Sequence, residues 1–392
     1  MKYFKFSALF LLLVSFSFFF YSCEETTSTG DNPVIDSIDP TNGVPGTVVT
    51  ILGSKFGDPA DYNQSTHKVF FNGEEASINV IGTEIQWFDD EIQVKVPQKA
   101  TTGNVVVEVN GLQSNGMLFT VPVVQPVSAL MATSKDDKSV SLKWNASADE
   151  SNADFAGYWI FVYPVGQTSG DPIELPKGTT TYIATDLTEG TVYNFDVHAV
   201  KNYGGNYLLS AKTNIKWSPA SRFILNINDD NIKMYETASS FGSGLQLFDP
   251  SGGAPKTLKV TSGADWDLGI YTSGSNIWFG SASKMKARYS SFAGTAKVCQ
   301  ISSTKYEVNS LDEVFDSQAL DQGHSFSESE IDLSTLTGNK NVVFIVRTNS
   351  PTWNYAKVML IYNGGFLQGP AGNRYIEVQV SYQKTSGVPY AL

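Results

Sequence analysis

Short runs of β-branched and aromatic residues, each closed by Gly, Asn-Gly or Pro, recur along nearly the whole chain and limit it to strands. Val105-Val106-Val107-Glu108-Val109-Asn110-Gly111 is one such run: four of its first five positions favour a pleated surface, and Asn-Gly is the residue pair that a tight hairpin demands. Long Ala/Glu/Leu/Lys stretches with a 3.6-residue period are missing, so helices have little to be built from. The 392 residues are 41% hydrophobic and only 17% charged, enough for real cores and too many for one ordinary domain. The expected class is all-β: a leader, two β-sandwich modules and a C-terminal antiparallel β-rich domain.

The chain opens with two Lys in its first six residues, then an apolar and aromatic run from Ala8 to Tyr21 broken only by Ser15 and Ser17, then Ser22-Cys23. A basic start, a short apolar run and a small-residue exit describe a secretory signal. The run is shorter than the roughly 20 residues a membrane span needs. With a Cys at the exit it resembles a bacterial lipoprotein signal, although Phe20 and Tyr21 stand where Leu and Ala are usual. This looseness, with Glu24-Glu25 next, resembles lipoproteins of the Bacteroidota that reach the cell surface. The resemblance implies a signal over 1–22, lipidation at Cys23, a flexible tether over 23–33, and an outer-membrane location facing the exterior or the periplasm.

From Pro33, Val34-Ile35 and Ile38 make a first strand, Asp39-Pro40 to Gly46 is turn chemistry, and Val48–Leu52 is a second strand. Val69-Phe70-Phe71-Asn72-Gly73 ends in a hairpin turn, and Val94–Val96 and Val105–Val109 follow. In this order the turns and strands resemble the IPT/TIG immunoglobulin-like domain, over 34–122. In the second module, 125–220, Val140, Leu142 and Trp144 share one face of a strand, Tyr158–Tyr163 is another strand, and Tyr193 follows a Leu187…Gly190-Thr191 turn. That Tyr resembles the tyrosine corner of sandwich domains; with Trp144 as core tryptophan, the module resembles fibronectin type III. Both modules read as spacers.

The third module, 222–392, contains long strands: Val342–Thr348, Ala356–Tyr362 and Tyr375–Tyr382. The first two are almost continuously apolar. The last sets Ile376, Val378 and Val380 on one face and Tyr375, Glu377, Gln379 and Ser381 on the other, a half-solvated antiparallel strand. Ser283–Arg288 and Glu328–Leu336 are the places for a helical turn.

Function is bounded mostly by exclusion. A formal charge of −12 argues against nucleic acid as a partner. Residues 222–392 carry only −1 of it and 1–221 the remaining −11, so the third module would repel an anionic ligand less. The three His, His67, His198 and His324, fall one to a module, which argues against a zinc cluster. Gly-x-Ser-x-Gly and phosphate-loop patterns are absent, and Asp89-Asp90-Glu91 and Asp229-Asp230 lack the calcium-loop ladder. No catalytic residue and no metal site emerges, and the chain reads as a non-enzyme. With Cys23 lipidated, Cys299 has no partner and reads as a buried thiol in a strand.

Asp265-Trp266-Asp267-Leu268-Gly269-Ile270, then Ser275–Phe279, then Phe344–Thr348 with Tyr355-Ala356-Lys357-Val358-Met359-Leu360, together resemble the HmuY-like haem-binding lipoproteins. That resemblance implies a β-rich haemophore-like fold serving a TonB-dependent transporter, with haem as bound ligand. Haem iron takes His or Met as axial ligands in an apolar slot. With one His in the module, bis-His ligation within the chain is excluded; His324, in a polar loop beside Gly323, and Met285, among Lys284, Lys286 and Arg288, are the ligand candidates. Met359 reads as core.

Two rival functions stand beside this one. A surface protein of immunoglobulin-like spacers with a distal β-domain also suits glycan capture for a carbohydrate uptake system. Tyr271, Trp278 and Trp353 are then the candidate stacking aromatics, Trp353 foremost because Ser350-Pro351-Thr352-Trp353-Asn354 reads as a hairpin tip. The other rival is an adhesion or assembly protein with no small ligand.

Overall fold

The computed structural model describes residues 32–261, 265–288, 292 and 297–391. Cys23 and the leader lie outside them. The chain divides into two compact units, one ending at Pro122 and one starting at Val123.

The first unit is a sandwich of two antiparallel sheets. One runs Val34–Asp39, Val48–Ser54, Glu91–Lys95, Ser77–Ile78; the other centres on Gly103–Val109 and His67–Phe71. The period of two decides which side chains enter: Val49 and Ile51 are fully buried while Val48 and Leu52 are exposed. Asn72 and Gly73 take φ of 47° and 90°, as do Asn110 and Gly111 at 51° and 84°, so both Asn-Gly pairs make the hairpins their sequence predicts. Trp87 fills the middle and donates from Nε1 to the Phe56 carbonyl at 2.8 Å.

The second unit holds two sandwiches. In the first, the sheet of Ser128–Asp136, Ser139–Asn145 and Thr181–Ala184 faces a five-stranded sheet built on Phe155–Pro164 and Tyr193–Tyr203. Trp144, Tyr158, Ile160, Phe195, Val197 and Trp217 form its core. The Tyr193 hydroxyl accepts from the Thr188 amide at 3.1 Å, which pins the turn as a tyrosine corner does.

The second sandwich pairs a seven-stranded sheet with a five-stranded one. The larger runs Ser221–Phe223, Tyr375–Tyr382, Asn354–Leu360, Asn341–Thr348, Cys299–Val308, Phe326–Ser327, with Ile232–Tyr235 also against Tyr375–Tyr382. The smaller runs Ala254–Leu258, Gly244–Asp249, Leu268–Ser273, Asn276–Ser281, Glu330–Asp332. Ser283–Arg288 does lie in a helix, Ala282–Arg288. Glu328–Leu336 supplies a single 3-10 turn, Leu333–Thr335, and before it an edge strand whose residues pair with Trp278–Gly280.

The two sandwiches are fused. Ala319, Leu320, Ile345, Tyr355, Tyr390 and Ala391 join the same buried cluster as Leu142, Ile215 and Trp217. Trp217 and Tyr390 sit 4.9 Å apart by ring centroid. Ala132 and Asp316 exchange backbone hydrogen bonds at 2.9 and 3.0 Å. The proline-marked join at Ser218-Pro219 is not an open linker. Ser218 is fully buried, its carbonyl accepts from Ser134 Oγ at 2.7 Å, and the Pro219 carbonyl accepts from Gln383 Nε2 at 2.9 Å. This explains the unbroken apolar runs. Asn354–Leu360 is buried at every position because one face closes its own sandwich and the other is covered by the neighbouring module and by the Val314 segment.

Candidate functional site

The second unit has an open cleft of about 580 Å³ beside Ile232–Tyr235. One wall is the loop Asn226-Ile227-Asn228-Asp229-Asp230-Asn231. Asn226 shapes it: its side-chain oxygen accepts from the amides of Asn228 (2.8 Å) and Asp230 (3.3 Å), and its own amide donates to the Asp230 carbonyl at 2.7 Å. Asp229 takes φ of 61°, a conformation that Asp and Asn tolerate better than other side chains. The result is a tight turn that leaves Asn228, Asp229, Asp230 and Asn231 exposed at the rim.

The other wall is aromatic. In Ile232–Tyr235 the inward positions, Ile232 and Met234, are fully buried, so Lys233 and Tyr235 face outward. Tyr235 lies 4.7 Å from Phe241 at an interplanar angle of 33°, and 5.5 Å from Tyr375. Lys233 Nζ stands 4.7 Å over the Tyr375 ring. Phe241 is 54% exposed, so its ring is open to solvent at the edge of the cleft. A buttress holds this wall: Glu236 binds Arg374 through Oε2 to NH2 at 2.7 Å and takes the Arg374 amide on Oε1 at 2.8 Å. The Arg374 guanidinium holds the Glu236 carboxyl below its ordinary range, against a smaller opposing effect of burial.

Chemically the cleft offers a pair of mutually tilted aromatic rings, amide and carboxylate groups able to hydrogen-bond, and one ammonium. No group of three or more His, Cys, Asp or Glu positioned for a metal occurs among the described residues.

The residues singled out from sequence lie elsewhere. His324 is not in an open loop. Its side chain is 4% exposed, with Nε2 3.0 Å from Asp316 Oδ1 and Nδ1 3.3 Å from Ser302 Oγ, so both ring nitrogens are engaged. Asp316 also meets Lys357 Nζ at 2.8 Å and accepts from the Tyr306 hydroxyl at 2.9 Å. Met285 lies on the fully buried face of its helix, packed with Trp266, Val260 and Phe292, and is not open to a ligand. The two ligand candidates therefore belong to separate clusters, each turned away from solvent. The Trp266-Asp267 pair is architectural: Trp266 is core, and Asp267 accepts from the Leu247 amide at 2.8 Å and from the Thr348 hydroxyl. Burial raises the Asp267 carboxyl above its ordinary value.

Trp353 does sit on the hairpin between Asn341–Thr348 and Asn354–Leu360, as its sequence predicts. Its indole is half-buried and covered by Arg347 at 4.4 Å, whose other face lies 4.7 Å from Phe326. Tyr271 and Trp278 contact each other at 5.6 Å, and Arg288 caps Trp278 at 4.3 Å while pairing with Glu330. All three rings are half-buried, and each has a ring or a cation against it. Sequence reasoning missed Phe241, Tyr235 and Tyr375. One signal was present: Phe241 is the only large side chain in Ser239-Ser240-Phe241-Gly242-Ser243-Gly244.

Comparison with known proteins identifies two modules. Residues 33–121 match the IPT/TIG domain and 125–220 the fibronectin type III domain. Chitinase Chi52 of Paenibacillus xylanexedens is 42% identical over 79 residues, which is 20% of this chain and 13% of that protein. A cyclomaltodextrin glucanotransferase of Paenibacillus macerans is 34% identical over 94 residues, 24% of this chain and 12% of that protein. The chain thus spans about an eighth of the length of the curated relatives it matches. Among solved structures, the FN1-FN3 domains of chicken CNTN1 overlap 81% of this chain and 93% of their own at 12% identity and a TM-score of 0.23. A two-domain fibronectin type III segment of chicken tenascin overlaps 48% of this chain and 99% of its own at 14% identity and a TM-score of 0.22.

Proposed function

We propose that this chain is a non-catalytic glycan-binding protein of the bacterial envelope, tethered by lipid at Cys23, whose cleft beside Ile232–Tyr235 takes the sugar. The observation that carries the reading is Phe241: an aromatic shelf open to solvent, beside Tyr235, facing a rim of exposed amides and carboxylates. A pyranose has the matching character, an apolar C–H face and a hydroxyl edge. The stretch shared with proteins named as a chitinase and a cyclomaltodextrin glucanotransferase supports the same direction. In this reading the IPT/TIG module is a spacer, and the captured glycan passes to an outer-membrane uptake system of the TonB-dependent kind.

The haem reading has less support, because His324 and Met285 are buried and already engaged. Affinity gel electrophoresis with soluble polysaccharides tests the proposal. Phe241→Ala should weaken retardation roughly fivefold to tenfold, the scale of one aromatic contact. Full retention by Phe241→Ala would refute the cleft. Haemin uptake at micromolar concentration, with a Soret band changed by His324→Ala, would replace the glycan by haem. Failure with both ligands would favour adhesion.

A further inference from the structure

The outward face of the fibronectin type III module carries a row of half-buried aromatic rings. Phe155–Pro164 alternates: Tyr158 and Ile160 are fully buried in the core, whereas Trp159, Phe161 and Tyr163 point to the opposite face and are half-buried. A strand rise of about 3.3 Å puts these three rings about 6.6 Å apart, a row of about 13 Å. Tyr207, 50% exposed, extends the row sideways, its ring 5.2 Å from that of Trp159. Between them lies a groove of about 270 Å³, also bordered by Gly157, Glu174 and Pro176. Gly157 makes the groove: a Cβ there would lie 2.1 Å from the Leu175 carbonyl oxygen, so only glycine lets that neighbouring strand come so close.

The partners across the sheet are polar. Trp159 stands opposite His198 on one side and Glu174 on the other, Phe161 opposite Asp196, and Tyr163 opposite Asn194. Asp196 is nearly buried and fixes this row. It accepts from Tyr163 Oη at 2.8 Å, from Lys212 Nζ at 3.0 Å and from Asn214 Nδ2. Burial pushes the Asp196 carboxyl up, but these three donors outweigh it and hold it below the ordinary value. Each ring thus has a polar neighbour across the sheet, and Asp196, opposite Phe161 and bonded to Tyr163, is held in place.

We infer that this face is a second glycan-binding surface, a shallow track for an extended polysaccharide, formed by Trp159, Phe161, Tyr163 and Tyr207. The inference rests on the glycan reading for its ligand class but on different residues. A protein-docking core would be depleted of charge at its centre. Here Asp196 and Glu174 sit among the rings, which suits a ligand that presents apolar faces and hydroxyl edges in turn.

The test uses the full chain on affinity gels containing glycol chitin, soluble starch or hydroxyethylcellulose, with thermal melts as a control for folding. Tyr207→Ala and Trp159→Ala should each weaken retardation by one polymer about threefold to tenfold, and together by more. Phe241→Ala runs in parallel. Loss with Phe241→Ala but none with Trp159→Ala and Tyr207→Ala overturns the track and leaves the cleft standing. Loss with the track variants alone supports the track and removes the cleft. Retardation unchanged in all variants, or absent for the parent chain with every polymer, overturns the track. If Trp159→Ala melts early, Tyr207→Ala, on an exposed ring, decides the matter alone.

Discussion

Replacing Asp316 should unfasten the second unit. Its carboxylate is where the two sandwiches meet: the backbone pairs with Ala132, and the side chain gathers Lys357, His324 and Tyr306. Lys357 is fully buried, and its ammonium also donates to the Val314 carbonyl at 2.9 Å. Burial alone would raise the Asp316 carboxyl, but Lys357 and His324 reverse this and bring it from 3.8 down to about 2. Burial also lowers Lys357, which Asp316 only partly offsets, so the pair depends on both members staying in place. A carboxyl depressed on folding contributes stability that is complete above its unfolded value. Here that is about 2 kcal/mol, lost as pH falls from about 4 to about 2. Asp316→Asn leaves the Lys357 charge without its partner and should cost about 3–5 kcal/mol at pH 7. Adding Lys357→Met should recover much of that loss. Calorimetry and urea unfolding of the full chain, from pH 7 to pH 2, read these numbers from the transition of the second unit. A cost below about 1 kcal/mol for Asp316→Asn, or strict additivity in the double variant, would refute the coupling.

Three further outcomes are expected. Cys23→Ala should move the protein from the membrane fraction to the soluble one; retention after signal cleavage, checked by fractionation and mass, would speak against lipidation. Cys299 is fully buried, with its thiol raised well above the ordinary value by burial first and Asp267 second, so a thiol reagent at pH 8 should label it only on unfolding. Limited proteolysis should cut near Val123, which is 72% exposed, and spare Ser218-Pro219, which is buried; rapid cleavage at the second position would contradict the fused core.

Local chemistry made much of the fold readable. The Asn72-Gly73 and Asn110-Gly111 turns, the Trp144 and Tyr193 positions and the alternation of Tyr375–Tyr382 each follow from constraints within a few residues of chain. The fused core was not readable as such. It depends on Tyr390 reaching Trp217 and on Asp316 reaching Ala132, contacts between residues far apart in sequence. Its trace was the unbroken apolar runs at Val342–Thr348 and Ala356–Tyr362, longer than a half-solvated strand requires. The site suffered from the same limit. Trp353, Trp278 and His324 have the residue types a ligand would want, yet Arg347, Arg288 and Asp316 cover or hold them. A sequence shows which side chains are able to bind, but not which are already occupied by a distant partner.

The fusion also bears on how a weak glycan site becomes useful. Single aromatic contacts are worth on the order of 1 kcal/mol, so neither the Phe241 cleft nor the Trp159 track would hold one sugar ring tightly. Both belong to the same compact unit, and the polar lock at Asp316 fixes the two sandwiches that carry them. If one polymer engages the cleft first, its second contact becomes intramolecular, and the gain is set by how well the spacing matches. Such coupling commonly adds two to four orders of magnitude without any new contact. A flexible joint would spread the two surfaces over many separations and dilute that gain. If the proposed surfaces both bind one polymer, the buried lysine–aspartate pair, besides the stability it contributes, would keep them at one distance.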